Sequence, residues 1–158
     1  MPNAAPAGTH PVVVTNSNGA GNSWTLRVAQ AAPATYFDME GGIVFRARDM
    51  ALIRAGDPAR VGDVLWILTT GLGLTTPPVA TGALAPQNPL ALVSNVNVTV
   101  GGTAQRVQQA LAVPGMAGLY LVAFTLEAPS PAPTGATVPV VVRIGDAAAN
   151  TVNIAYQR

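Results

Sequence analysis

Short runs of Val, Ile and Thr, set between clusters of Gly, Pro and Asn, recur along the whole chain and constrain its fold more than any other feature. Runs of this length, rich in β-branched residues and bounded by turn formers, specify strands. The pattern predicts strands near Pro11–Thr15, Ser23–Val28, Thr35–Phe37, Ile43–Arg46, Ala51–Arg54 and Asp63–Thr70. It predicts others near Asn95–Val100, Gln105–Ala110, Gly118–Leu126, Val138–Ile144 and Thr151–Tyr156. Between the first pair, Asn16-Ser17-Asn18-Gly19-Ala20-Gly21-Asn22 is a strong reversal, because Asn-Gly accepts the positive φ angles of tight turns. Trp24, Leu26 and Val28 then share one face by the period of two. Thr103–Leu111 has room for a turn or two of helix but reads better as strand, and Pro-rich linkers fall at Thr75–Pro89 and Ala128–Pro139. The expected fold class is all-β, with enough strands in the last hundred or so residues for a β-sandwich.

Charge is scarce and uneven. Only 9% of residues are charged, against roughly 25% in an ordinary soluble domain. Nine of the fifteen charged side chains lie between Asp38 and Asp63, and none lies between Val64 and Gln105. The exposed face of that neutral segment has to be made of Thr, Asn, Gln, Ser and Ala. Such surfaces associate readily, since no net charge keeps copies apart. The alternative is a secreted protein that tolerates a neutral surface. With 49% hydrophobic residues the chain is too apolar for a disordered tail, yet its longest apolar runs, such as Val64–Leu68, are strand-sized and far short of a membrane span.

Missing residues narrow the chemistry. There is no Cys, hence no thiol nucleophile, thiolate metal site or disulfide. There is no Lys, hence no Schiff base and no Lys–Asn crosslink. The single His, His10, stands in a Pro- and Ala-rich start, a poor place for a triad base. Asp38 with Glu40, and Asp57 with Asp63, are the carboxylate pairs open to glycosidase-like work. Their competing role is pairing with Arg46, Arg48, Arg54 and Arg60 in a solvated ion network, which the near-cancelling charges favour. Asp38, Glu40 and Asp49 are a thin ligand set for calcium. Trp24, Trp66 and Tyr120 could line a sugar-binding face, although Trp66 reads as core. A net charge of +1 with no basic stripe gives no basis for nucleic-acid binding. No catalytic, cofactor or metal residue is therefore assigned, and no signal peptide opens the chain.

Pro58-Ala59-Arg60-Val61-Gly62-Asp63, an apolar strand, and Thr70-Gly71-Leu72-Gly73 open a further pattern. Thr81-Gly82, Ala85-Pro86, Val98-Thr99-Val100-Gly101-Gly102-Thr103-Ala104, Pro114-Gly115-Met116-Ala117-Gly118-Leu119-Tyr120 and Asn150-Thr151-Val152 continue it in order. Over residues 33–158 this resembles the C-terminal immunoglobulin-like module of large secreted bacterial proteins of the acidobacterial type. Val61, Leu121 and Ala123 depart from the pattern, which favours Pro, Gln and Asn there. The resemblance implies an immunoglobulin-like β-sandwich and an extracellular or cell-surface setting, with no catalytic residues. Val12–Val28 followed by Ala31-Ala32-Pro33 resembles the last hairpin of a preceding IPT/TIG-like domain. Gly71 and Gly73 suit positive φ or close backbone approach; a phosphate cradle would need a helix directly afterwards.

The expected organisation is an N-terminal arm and β-hairpin over 1–32, a charged connecting segment with short strands over 33–62, and an immunoglobulin-like β-sandwich over 63–158. Two strands alone are marginal in water. The hairpin is thus expected either to fold back on its own sandwich or to dock on another copy. Val12, Val14, Trp24, Leu26 and Val28 are the candidate assembly interface. The expected role is structural: a non-enzymatic subunit whose partner is itself, joined in fibre fashion through its N-terminal strands. The alternative is an adhesion module that binds cell-surface carbohydrate or protein through loops such as Thr75–Pro89.

Overall fold

The computed structural model describes residues 5–128 and 137–157, so most of the Ala128–Pro139 linker lies outside the described residues. The fold is all-β. Its strands are β1 (Gly8–Val12), β2 (Trp24–Val28), β3 (Ala34–Thr35), β4 (Val44–Arg46), β5 (Ala59–Arg60), β6 (Val64–Thr70), β7 (Val96–Val100), β8 (Thr103–Ala112), β9 (Leu119–Thr125), β10 (Thr137–Ile144) and β11 (Val152–Gln157), with shorter ribbons between them. Among the described residues no helix is long and apolar enough to cross a membrane.

From β3 onward the strands form one continuous path, β3-β6-β9-β8-β7-β10-β11-β5, antiparallel except for the β11–β5 contact. The path curls because β8 changes neighbours. Its first residues, Thr103–Gln105, pair with β7, and the rest, from Arg106, pair with β9. The ladder shifts between Val107 and Gln109, so Gln108 is an extra residue, a β-bulge that bends the strand and sharpens its twist. Curling brings the inner faces together. Leu65 and Ile67, Val122 and Phe124, Val98 and Val100, Val138, Val140 and Val142, and Val152, Ile154 and Tyr156 alternate along their strands and meet in one core. That period of two is the one the sequence displays.

Residues 33–62 run between the two edges of this curled path. β3 and β4 pair with β6 at one edge, and β5 lies parallel to β11 at the other. Asn150 ties the start of the segment to the end of the chain. Its side-chain oxygen accepts from the Thr35 N–H at 2.8 Å and its amide donates to the Thr35 carbonyl at 3.1 Å, as a neighbouring strand would. The Thr75–Pro89 stretch, expected as a linker, folds into a layer over the ends of β8 and β9. Thr76 and Leu92 exchange both backbone hydrogen bonds, while Ala85 accepts from Gly115 and donates to Met116.

Candidate functional site

β1 and β2 form a separate antiparallel ribbon with Gly8 opposite Val28, His10 opposite Leu26 and Val12 opposite Trp24. Residues directly opposite one another point to the same face. One face is therefore apolar, carrying Val12, Trp24, Leu26 and Val28 with His10, and the other carries Thr9, Pro11, Thr25 and Arg27. Val14 lies just beyond the regular ladder, where its carbonyl accepts from the Gly21 N–H at 2.9 Å. A second short ladder, Thr15 to Ala20 and Asn16 to Gly19, closes the tip around Ser17-Asn18.

The apolar face meets solvent. Trp24 is 77% exposed, Val14 74%, Val12 41% and Leu26 39%; His10 and Val28, nearest the body, are half-buried. Covering a side chain of this kind is worth about 1.5–3 kcal/mol. The His10 ring donates to the Pro6 carbonyl at 2.9 Å, so it belongs to the ribbon's own base.

The ribbon leaves the body over a glycine saddle. The Ala32 N–H donates to the Gly71 carbonyl at 2.9 Å. A Cβ on Gly71 would lie 2.0 Å from the Ala32 carbonyl oxygen, and one on Gly73 2.6 Å from that of Gln30. The Tyr120 hydroxyl, its pKa pushed up by burial and so firmly protonated, donates to the Gly73 carbonyl at 2.7 Å. The Thr70-Gly71-Leu72-Gly73 motif thus seats the connection between ribbon and sheet.

No family model, no curated protein and no solved structure matches this chain. Its chemistry is read from its own side chains.

The carboxylates of the charged segment are all engaged by arginine. Arg54 bridges Asp38 and Glu40. Arg46 donates to both oxygens of Asp57 at 2.9 and 2.8 Å, to Asp63 and Asp49 at 3.2 Å each, and to the Pro58 carbonyl at 3.1 Å. Arg46 is buried, with 4% of its side chain exposed, while Asp49 and Asp57 stay about half exposed, so the expected solvated ion network is desolvated on its cationic side and at Asp63 only. Arg60 turns its guanidinium toward Gln157. The bonds to Asp57 raise the Arg46 pKa above its ordinary value against the opposing pull of burial.

Asp57 is held below the usual carboxylate range by its Arg46 bonds, and Asp49 by the Ala51 N–H, with Arg46 and Arg48 adding to it. A carboxylate with a depressed folded pKa stabilises the fold above its unfolded value, about 3.9, and loses that contribution as pH falls through the folded value. The thermal midpoint should therefore hold steady from pH 7 to 5 and fall below about pH 4. Circular dichroism melts from pH 7 to 2.5 check this; a midpoint unchanged at pH 2.5 would contradict it.

Trp24, Trp66 and Tyr120 do not converge. Trp66 borders an open groove with Arg46, Arg48, Asp63 and Gln108. Tyr120 lines a cavity of about 230 Å³ between the Thr75–Ala85 stretch and the turn before β9, along with Thr75, Ala83, Ala112, Met116 and Ala117. The sequence reading did not find this cavity. Its one signal there is the density of alanine at 80, 83, 85, 112 and 117, small side chains that leave space unfilled.

Proposed function

We propose that this chain is a non-enzymatic structural module of an extracellular or cell-surface protein, an immunoglobulin-like sandwich whose copies join through the N-terminal ribbon. One observation carries the reading: the ribbon's apolar face, with Trp24 at the outer end of its ladder, lies uncovered by the described residues. A two-stranded ribbon is marginal by itself, so a covering partner supplies the burial that its own body does not. The charge-free surface from Val64 to Gln105 sets no repulsion against a second copy. A ribbon that docks on a different patch of the next copy makes a heterologous contact, which propagates into a fibre. The engagement of each carboxylate from Asp38 to Asp63 by arginine supports a non-enzymatic role.

The adhesion alternative has the cavity beneath the Thr75–Pro89 loop in its favour. A sugar needs hydrogen-bond donors and acceptors, however. Here the Thr75 hydroxyl already donates to the Pro77 carbonyl at 2.8 Å, and Tyr120 is bound to Gly73.

Light scattering against concentration tests the main reading. The full chain should grow into species larger than a dimer, and a chain beginning at Gln30 should stay monomeric. A full chain that remains a monomer on concentration, or a shortened chain that assembles as well as the full one, would overturn it.

A further inference from the structure

We propose that the outer edge of β2 pairs with the same edge of a second copy of this chain, antiparallel about a two-fold axis, so that two ribbons become one four-stranded sheet. This rests on the self-association reading and names one contact within it. The ribbon's apolar face stays available for the docking that propagates.

Pro11 fixes which way the ribbon's backbone groups point. It stands inside β1, opposite Thr25. Proline has no N–H, so it fits a ladder only where that group would face away from the partner strand. Antiparallel pairs alternate between hydrogen-bonded and non-hydrogen-bonded. His10 with Leu26 and Val12 with Trp24 are therefore the hydrogen-bonded pairs, and Thr9, Pro11, Thr25 and Arg27 turn their backbone groups outward. The two edges are then unequal. On β1 the row of donors is interrupted at Pro11, which blunts an edge against strand addition. On β2 the N–H and C=O groups of Thr25 and Arg27 are complete. Both residues are exposed, and among the described residues none bonds to their backbone from outside the ribbon. Every other described strand of five or more residues lies between two neighbours.

A second β2 is the occupant this edge fits. It brings five residues already held extended by β1, so pairing orders little further chain. In an antiparallel register centred on Leu26 that side chain meets its own counterpart, Trp24 meets Val28, and Thr25 exchanges hydrogen bonds with Arg27. A register centred on Arg27 would set two guanidiniums directly opposite, which is destabilising. One centred on Thr25 would set Val28 against Asn22, beyond the strand. Residues opposite one another point to the same side. The joined sheet therefore carries Val12, Trp24, Leu26 and Val28 twice on one face. Four strands with an apolar face pass the size at which a sheet holds by itself, which two do not.

Proline and cysteine variants of the full-length chain test this by sedimentation and crosslinking. Thr25→Pro removes an outward N–H and spares the ribbon's own ladder, as Pro11 does opposite. It should weaken self-association at least about 10-fold, because the two-fold axis counts each lost hydrogen bond twice. Thr9→Pro makes the same change on the other edge and should associate like the parent. Leu26→Cys places the only thiol of the chain at the axis. There the Cα atoms of a non-hydrogen-bonded pair lie about 4.5 Å apart, within disulfide reach. Mild oxidation should link this variant into a covalent dimer, while Thr9→Cys, on the far edge, stays unlinked. If the parent associates while the two proline variants behave alike, or Leu26→Cys stays unlinked, this inference fails and the ribbon's apolar face remains the connector. If the parent stays monomeric at every concentration, both fall.

Discussion

Replacing Arg46 with Gln lowers the stability of the fold by about 3 kcal/mol, the low end of the cost of breaking a buried ion pair, because Asp49 and Asp57 keep contact with water. The guanidinium binds Asp57 through two nitrogens, Asp49 and Asp63 through single bonds, and the Pro58 carbonyl as well. Glutamine offers one amide in place of this five-donor fork. Asp63, with 9% of its side chain exposed, would be left with its charge poorly solvated. The loss should also be spatially broad. Arg46 sits on β4 against β6, Asp63 lies immediately before β6, and Asp57 and Pro58 lead into β5 against β11. One side chain thus links the stretch paired with β6 to the stretch that leads into β5. At about 2–4 °C per kcal/mol for a chain of this size, the thermal midpoint should fall by roughly 10 °C. Arg48→Gln is the control, because that side chain is 65% exposed and its pairs with Asp49 and Asp63 are long; it should cost no more than about 1 kcal/mol. A midpoint for Arg46→Gln within about 2 °C of the parent would refute this account of the cluster.

The strands of the sheet were legible because their signal is local. Val98 and Val100, Val138, Val140 and Val142, and Val152 and Ile154 carry the period of two in the sequence and lie inside in the structure. The same rule bears on Arg46. It stands two residues after Val44, so the alternation that buries Val44 buries Arg46 as well. Charge arithmetic alone treated the Asp38–Asp63 segment as a solvated network, because composition counts partners without saying which side they face. The turn of β8 was not legible. Gln108, the extra residue of the bulge, stands between Val107 and Gln109 with nothing in its type to distinguish it from a regular outward position. The register shift is fixed by β7 and β9, which compete for the two ends of one strand, and that is a property of the assembled sheet. The candidate interface was read in part for the same reason. Alternation placed Trp24, Leu26 and Val28 on one face and the candidate set already held Val12 and Val14; the β1–β2 register sets Val12 opposite Trp24 and ends before Val14. The cavity has no motif of its own, being an absence of side-chain volume shared between Thr75–Ala85 and Ala112–Tyr120.

Gly71→Ala is expected to be the most damaging single-methyl substitution in the connection between ribbon and body. Gly71 has φ +68°, a conformation that costs an L-residue roughly 1–2 kcal/mol. A Cβ there would also lie 2.0 Å from the Ala32 carbonyl oxygen and 2.7 Å from its carbon. The obstacle is backbone, with no flexible side chain to swing aside, so the Gln30–Pro33 strand has to lift. That breaks the Ala32 N–H bond to the Gly71 carbonyl and draws away Gln30, whose carbonyl oxygen would lie 2.6 Å from a Cβ on Gly73. Gly102→Ala separates the two effects. Gly102 has φ +81° with nothing within 4 Å of the added Cβ, so it registers the conformational cost alone. Denaturant unfolding should show Gly71→Ala less stable than Gly102→Ala by at least about 1 kcal/mol, the worth of one lost backbone hydrogen bond before any repacking. Trypsin supplies the local readout, since Arg27 lies at the base of the ribbon. With the linker lifted, cleavage after Arg27 should accelerate in Gly71→Ala and stay at the parental rate in Gly102→Ala. Equal unfolding losses with equal cleavage rates would mean that the saddle does not hold the ribbon. A ribbon held in one direction presents Trp24 at a fixed distance from its own body, and copies joined through it can then repeat with a constant spacing. In the proposed assembly, Gly71→Ala should accordingly loosen the order of the repeat.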